Sequence, residues 1–408
     1  MEFKTLNGML ILKLGLVQSV ALAIVVYYLG VVIRKRVPFL VKHSIPAPVV
    51  GGLLFASIAT FLRMQGVIGI DLDSTMQTNL MIMFFTTMGM GASITLVKRG
   101  GLPLVIFLGL ASFLGILQNF LGIFLAQLTG IHSLFGIIAG AVTLMGGLGT
   151  GGAFGPLFES WGLTGATAAA IACATFGMVA GSLMGGPFGE RLIRRYHIIT
   201  PKSQGVELDA SAAAFQETEA VTNGPVLMST LAYVLAAMGL GTVVSYVLVS
   251  NGITLPLYIG GMITAAVIRN IGDISKKFEI NVNALEIISD ISLGLYLTMA
   301  INGLKLWELV NLAIPLLIIL VAQCLLMLIF CWLCFYFIMG RDYEAMMLSV
   351  GLVGFGMGAT PNALANMQTL SQKHGLAPKS WLIVSIVGAF LIDFTNAIII
   401  TTMGNMFR

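Results

Sequence analysis

The sequence predicts an all-α integral membrane protein: ten transmembrane helices in two inverted five-helix repeats, each repeat carrying a re-entrant hairpin. Composition, an internal repeat and the distribution of basic residues carry that prediction. Of 408 residues, 58% are apolar and 9% charged, with a mean hydropathy of +0.98, values far outside those of soluble domains. The apolar residues fall into runs near the ~20 residues that a helix needs to cross ~30 Å of hydrocarbon.

In chain order, spans are expected near 9–33, 46–63, 78–97, 102–128 and 164–187. A second set follows near 226–250, 254–271, 284–303, 310–339 and 379–404. The first run is longer than a signal-peptide core and reads as a retained span. The polar stretch 188–224 separates the sets and reads as a solvated cytoplasmic connector, basic at its start and carrying Glu207, Asp209, Glu217 and Glu219 later. The repeats are thus 1–187 and 225–408. Cys173, Cys324, Cys331 and Cys334 all lie in apolar segments and read as packing residues.

Two apolar pieces are left over, near 134–161 and 343–372, each between the fourth and fifth spans of its half. They hold GGLGTGG at 146–152 and GFGMGATPN at 354–362. That density of glycine and proline breaks helical hydrogen bonding. Broken backbone at membrane depth must face protein or water, so each piece is expected to fold as a re-entrant hairpin.

The halves also match each other. Gly51-Gly52 recurs as Gly260-Gly261 at a shift of 209, Thr87-Met88 as Thr298-Met299 at 211, and Gly177 as Gly388 at 211. Cytoplasmic loops carry the excess of Lys and Arg. With both hairpins re-entrant and the N-terminus outside, 16 of the 21 basic residues fall inside, and Lys4, Lys13, Arg63, Lys305 and Arg408 remain outside. If each broken piece crossed fully, the count would be 9 inside and 12 outside, which is no bias. Five spans per half invert the second repeat and put both termini on the periplasmic side of an inner membrane.

Hairpin tips meeting near the midplane would bring half-helix N-termini, with their free N–H groups, to one place suited to an anion. The substrate-binding candidates are Gly147, Gly149, Thr150 and Gly151 in the first tip and Gly358, Thr360 and Asn362 in the second. Carboxylates inside a membrane are costly and usually functional. Asp393 is the deepest; Asn396 lies three residues on and, with Thr360, could complete oxygen ligation of sodium. Asp290 lies nearer the cytoplasmic end of its span. No Lys or Arg falls in mid-span, so backbone N–H groups are expected to hold an anionic substrate. The four histidines, at loops or span ends, argue against a proton relay. An intramembrane aspartyl protease would need two span carboxylates, but neither Asp290 nor Asp393 sits in the GxGD setting of such enzymes. A channel would not accumulate solute.

Five segments carry a resemblance across essentially the whole chain: GGLGTGG at 146–152, ACATFGMVAG at 172–181 with GGP at 185–187, NGLKLWEL at 302–309, GFGMGATPNALANMQ at 354–368 and GAFLIDFTNA at 388–397. With these the sequence resembles the bacterial glutamate:sodium symporters. The resemblance implies sodium-coupled uptake of L-glutamate, with sodium as coupling ion and no other cofactor. It also implies a homodimer in the lipid bilayer whose transport domains move, elevator-fashion, against a fixed scaffold. Neither an enzyme activity nor a nucleic-acid partner is expected. Leu148 departs from the family's first-hairpin motif, which has histidine there. A sodium-coupled carrier of citrate or another small carboxylate is the alternative.

Overall fold

The computed structural model describes residues 2–6, 9–204, 222–250 and 256–408. Two strands open the chain, β1 (Glu2–Leu6) and β2 (Met9–Leu14), and α1 (Leu16–Arg36) follows. After α2 (Pro38–Lys42) and α3 (Ala47–Met64) comes β3 (Gly69–Leu72). β2 pairs antiparallel with β1 and parallel with β3. The expected first span, 9–33, is therefore corrected at its start. A short apolar run does not by itself distinguish strand from helix, and β2 finds its partner 58 residues away (Ile11 against Gly69). Gly15 separates the two elements, its N–H donating to Gln18 Oε1 at 3.0 Å.

Next come α4 (Thr75–Gly91) and α5 (Ile94–Leu128). The expected spans 78–97 and 102–128 join differently here. The chain leaves α4 at Ala92, and Ser93 caps α5 by accepting from Leu96 N–H at 3.4 Å. The kink falls inside α5, at Gly101 (φ 60°, ψ −156°), with Pro103 close behind.

The first broken segment is α6 (Ser133–Ile137), a π-helical stretch Ile138–Val142, and α7 (Gly147–Ser160). Helix α8 (Ala166–Tyr196) follows, so the connector expected from residue 188 begins inside a helix. Residues 205–221, with Glu207, Asp209, Glu217 and Glu219, lie outside the described residues, as do 251–255. Then come α9 (Gly224–Ser250), α10 (Leu257–Ser275), α11 (Val282–Asn302) and α12 (Ala313–Leu333), the last extended by a π stretch Cys334–Ile338. The second broken segment is α13 (Tyr343–Phe355) and α14 (Thr360–His374). It folds back on itself, since a Cβ on Gly354 would strike the backbone of Ala363. The chain ends in α15 (Pro378–Ile386), a π stretch Val387–Leu391 and α16 (Ile392–Met406).

Eight described helices are long and apolar enough to cross a membrane, which makes this a multi-pass membrane protein. Helices α4 and α10 stand where the sequence predicts two further spans. The helices sort into two groups. α1, α3, α4, α9, α10 and α11 pack together as a panel, and α5 to α8 with α12 to α16 form a core. The panel contains the same close approach twice. A Cβ on Gly51 would strike the Val26 carbonyl of α1, and one on Gly260 the Gly241 carbonyl of α9. Small residues let backbones touch where no hydrophobic force drives helices together in lipid.

Candidate functional site

In the first broken segment, Gly140 leaves helical geometry (φ −107°, ψ −129°) within the π stretch. Thr143 Oγ1 donates to Ile138 O at 2.6 Å, and Gly146 N–H to Ala141 O at 3.0 Å. Gly147 then starts α7 at φ +62°, a left-handed conformation that glycine adopts without cost. In the second segment, α13 ends at Phe355 with Gly356 as its C-cap, and α14 starts at Thr360 with proline in its first turn. Neither α7 nor α14 has a side-chain cap at its N-terminus. Free N–H groups and the positive ends of two helix dipoles are thus available there.

The two breaks meet. A Cβ on Gly147 would lie 2.7 Å from the carbonyl oxygen of Gly358. Helix α8 backs both: a Cβ on Gly177 would strike the Met357 carbonyl and approach Leu144 to 2.8 Å. Asn362 fixes α14 to α8, its Nδ2 donating to Met178 O at 2.7 Å and Ser182 Oγ at 3.0 Å.

A cavity of about 820 Å³ lies between panel and core. Its core wall holds the breaks, with Gly147, Gly149, Thr150, Gly358, Thr360, Asn362 and Asp393 among the lining residues. Asp393 lies in the first turn of α16, just after the π stretch, and Gly388, Ala389 and Phe390 of that stretch also line the cavity. Among the described residues the Asp393 carboxylate makes no hydrogen bond or ion pair. Thr360 Oγ1 lies 3.2 Å from where a Cβ on Gly388 would be.

Two candidates lie elsewhere. Gly151 packs between Thr143 and Ala170, its would-be Cβ 3.3 Å from Thr143 Cγ2 and 3.5 Å from Ala170 Cβ. Asn396 is buried away from the cavity, donating from Nδ2 to Ala141 O at 3.0 Å.

The panel carries residues that sequence reasoning missed, on the cavity wall and just behind it. Tyr296, fully buried on α11, donates to Gly149 O at 2.8 Å. Phe84 of α4 lies against the same turn, 2.9 Å from a would-be Cβ on Gly149. Arg34 and Lys35, in the last turn of α1, line the cavity together with Glu286 and Asp290 of α11. In the sequence the two cations read as loop residues. An aromatic hydroxyl inside a span, which needs a partner when buried, is the signal that could have singled out Tyr296.

A family model described as sodium/glutamate symporter matches residues 12–376. The chain belongs to that family. It is similar to the sodium/glutamate symporter of Escherichia coli, at 38% identity over 376 residues, 91% of this chain and 93% of that one. The sodium/glutamate symporter of Haemophilus influenzae is 37% identical over 384 residues, 93% of this chain and 95% of the relative. Among solved structures, the sodium proton antiporter of Methanocaldococcus jannaschii aligns over 96% of this chain and 98% of its own, with 16% identity and a TM-score of 0.44.

Proposed function

We propose that this protein is a secondary active transporter that carries L-glutamate into the cell in symport with sodium. The observation that carries the reading is the cavity wall itself, where an unpaired carboxylate, Asp393, stands beside two helix N-termini without side-chain caps. Opposite charges need opposite sites. Asp393 and Thr360 supply oxygen to sodium, a hard cation. The N–H groups around Gly147 and Gly149 receive the substrate's carboxylates, with Thr150 and Gly358, whose own N–H groups donate to Gly146 O at 3.3 Å and Phe355 O at 3.4 Å, lining the site beside them. Gly151 and Asn396, which lie off the cavity, are left out of first contact.

The architecture we infer is ten spans in two inverted repeats, 1–187 and 225–408, joined by a cytoplasmic connector over 188–224. The broken segments are its re-entrant hairpins. Recurrence of the α1–α3 glycine contact in α9–α10 supports the repeat, and the excess of Lys and Arg on one side supports the orientation. Both termini are then periplasmic, in an inner membrane. The division into panel and core supports an elevator, in which a homodimer's panels hold still while each core moves. Arg34 and Lys35 lie on the cytoplasmic side of this arrangement, so the cavity is open inward.

The deciding experiment is uptake of labelled glutamate by sealed proteoliposomes. Accumulation is expected with an inward sodium gradient and is lost when potassium replaces sodium. Equal competition by unlabelled citrate would overturn glutamate as the substrate. Orientation is tested separately, with single cysteines at Arg195 and Lys305 in a cysteine-free background. An impermeant thiol reagent added to intact cells should label position 305 and leave 195 untouched. Labelling at 195 would reverse the topology.

A further inference from the structure

Four amide side chains, all nearly or wholly buried, tie the two helix breaks together behind the cavity. Gln118 and Asn119 are consecutive on α5. Gln118 Nε2 donates to the carbonyl of Gly356, the first residue past α13, at 2.8 Å. Asn119 Oδ1 accepts from Ala141 N–H at 2.9 Å, directly after the non-helical Gly140. Asn396 Nδ2 donates to the carbonyl of the same Ala141. Gln323 of α12 completes the group, its Nε2 donating to Gln118 O at 2.7 Å. The amide orientations are fixed by chemistry: each NH2 of Gln118, Gln323 and Asn396 faces a carbonyl, and the oxygen of Asn119 faces an N–H, so any flip would set like against like.

Two features separate this group from ordinary helix packing. It bonds to backbone groups at both broken segments, the Gly356 carbonyl and the Ala141 N–H, and it shares the Ala141 carbonyl with Gly146 N–H. It is also incompletely satisfied: the buried oxygens of Gln118, Gln323 and Asn396 have no hydrogen-bond partner among the described residues. An unpaired buried acceptor is destabilising, a poor choice where stability is the only requirement. Asn396 stands one turn beyond Asp393 on α16, so a displacement of that turn reaches Ala141 directly.

We propose that Gln118, Asn119 and Asn396 are positioning residues that couple the cation side of the cavity to the shape of both breaks. Sodium at Asp393 sets the first turn of α16. Asn396 passes that setting to Ala141, and the Gln118–Asn119 pair holds the second break in step with the first. The brace is thus the path by which sodium raises glutamate affinity. It rests on the symport reading, and its test separates the two.

The measurement is glutamate binding to the purified protein in nanodiscs, with and without saturating sodium. The ratio of the two dissociation constants is the coupling factor, expected between about 5 and 150 for the unsubstituted protein. In Gln118→Met, which keeps length and removes the donor, the factor should fall to within about threefold of unity, with sodium-free glutamate affinity changed less than about threefold. Asn396→Ala should behave alike, and its sodium affinity without glutamate should hold. If Asn396→Ala does not fold, Gln118→Met decides alone. An unchanged coupling factor in a folded variant overturns the brace, as does a parallel loss of affinity with and without sodium. Loss of sodium affinity in Asn396→Ala would make Asn396 a sodium ligand instead. No sodium effect in the unsubstituted protein would overturn the symport reading, and the brace with it.

Discussion

Asp393→Asn is expected to fold and insert normally and to lose sodium-driven glutamate accumulation. The carboxylate lines the cavity and has no hydrogen bond or ion pair among the described residues. A charge at membrane depth costs a few kcal/mol on insertion scales unless something compensates it. The formal cations on the cavity wall, Arg34 and Lys35, stand on the panel at the end of α1, not on the core wall with Asp393. Sodium is the compensation that the site can draw from solution. Once it binds, the substrate's carboxylates no longer meet an uncompensated negative charge. Removing the charge but keeping the shape should therefore remove the reason for sodium to bind. About 3 kcal/mol of lost compensation corresponds to roughly a hundredfold drop in initial uptake rate at a given sodium concentration. The check is uptake rate against sodium concentration for both proteins in proteoliposomes. By reciprocity, glutamate should also cease to raise sodium affinity in the variant. An unchanged sodium dependence would make Asp393 a structural residue.

Asp393 was legible in the sequence because a carboxylate in an apolar run announces itself. The second break was legible because GFGMGATPN cannot sustain a helix, whereas GGLGTGG, expected to break one, lies almost wholly inside α7, and the first break falls just before it, between Gly140 and Gly147. Their meeting was not, since the contact of Gly147 with Gly358 joins residues far apart in the chain. Asn396 shows where the spacing rule fails. Three residues along a helix fall about 60° short of a full turn. That offset is enough to turn Asn396 from the cavity toward Ala141 while Asp393 faces it. The same-face argument finds neighbours on a helix surface, but it does not say which neighbour packs against a third element.

Other parts of the fold depend on partners that local pattern does not encode. The strand β2 exists because β3 arrives after α3 to pair with it. Arg34 and Lys35 look like ordinary loop cations that obey the charge rule. They become cavity residues because the last turn of α1 borders the gap between panel and core. Hydropathy measures depth along one helix and carries no information on which helices part to leave a space.

Gly147→Ala is expected to abolish transport while leaving membrane insertion intact. Two costs fall on this one methyl group. At φ +62° an L side chain is strained by about 1–2 kcal/mol. Its Cβ would also lie 2.7 Å from the Gly358 carbonyl oxygen, closer than van der Waals contact, and overpacking of this kind costs about 1–3 kcal/mol. The second cost matters more for function, because it is relieved only by driving the two breaks apart, and the N-termini of α7 and α14 then no longer face one ligand. A hundredfold fall in uptake needs about 2.7 kcal/mol, within the range of the second cost alone. Gly162→Ala is the control. Gly162 has φ +95° and nothing within 4 Å of its would-be Cβ, so it carries the strain without the contact and should transport at near the unsubstituted rate. Both variants are compared by surface expression and by initial glutamate uptake. Equal activity in the two would mean that the contact between the breaks plays no part in transport, and the ligand site would have to be sought elsewhere on the cavity wall.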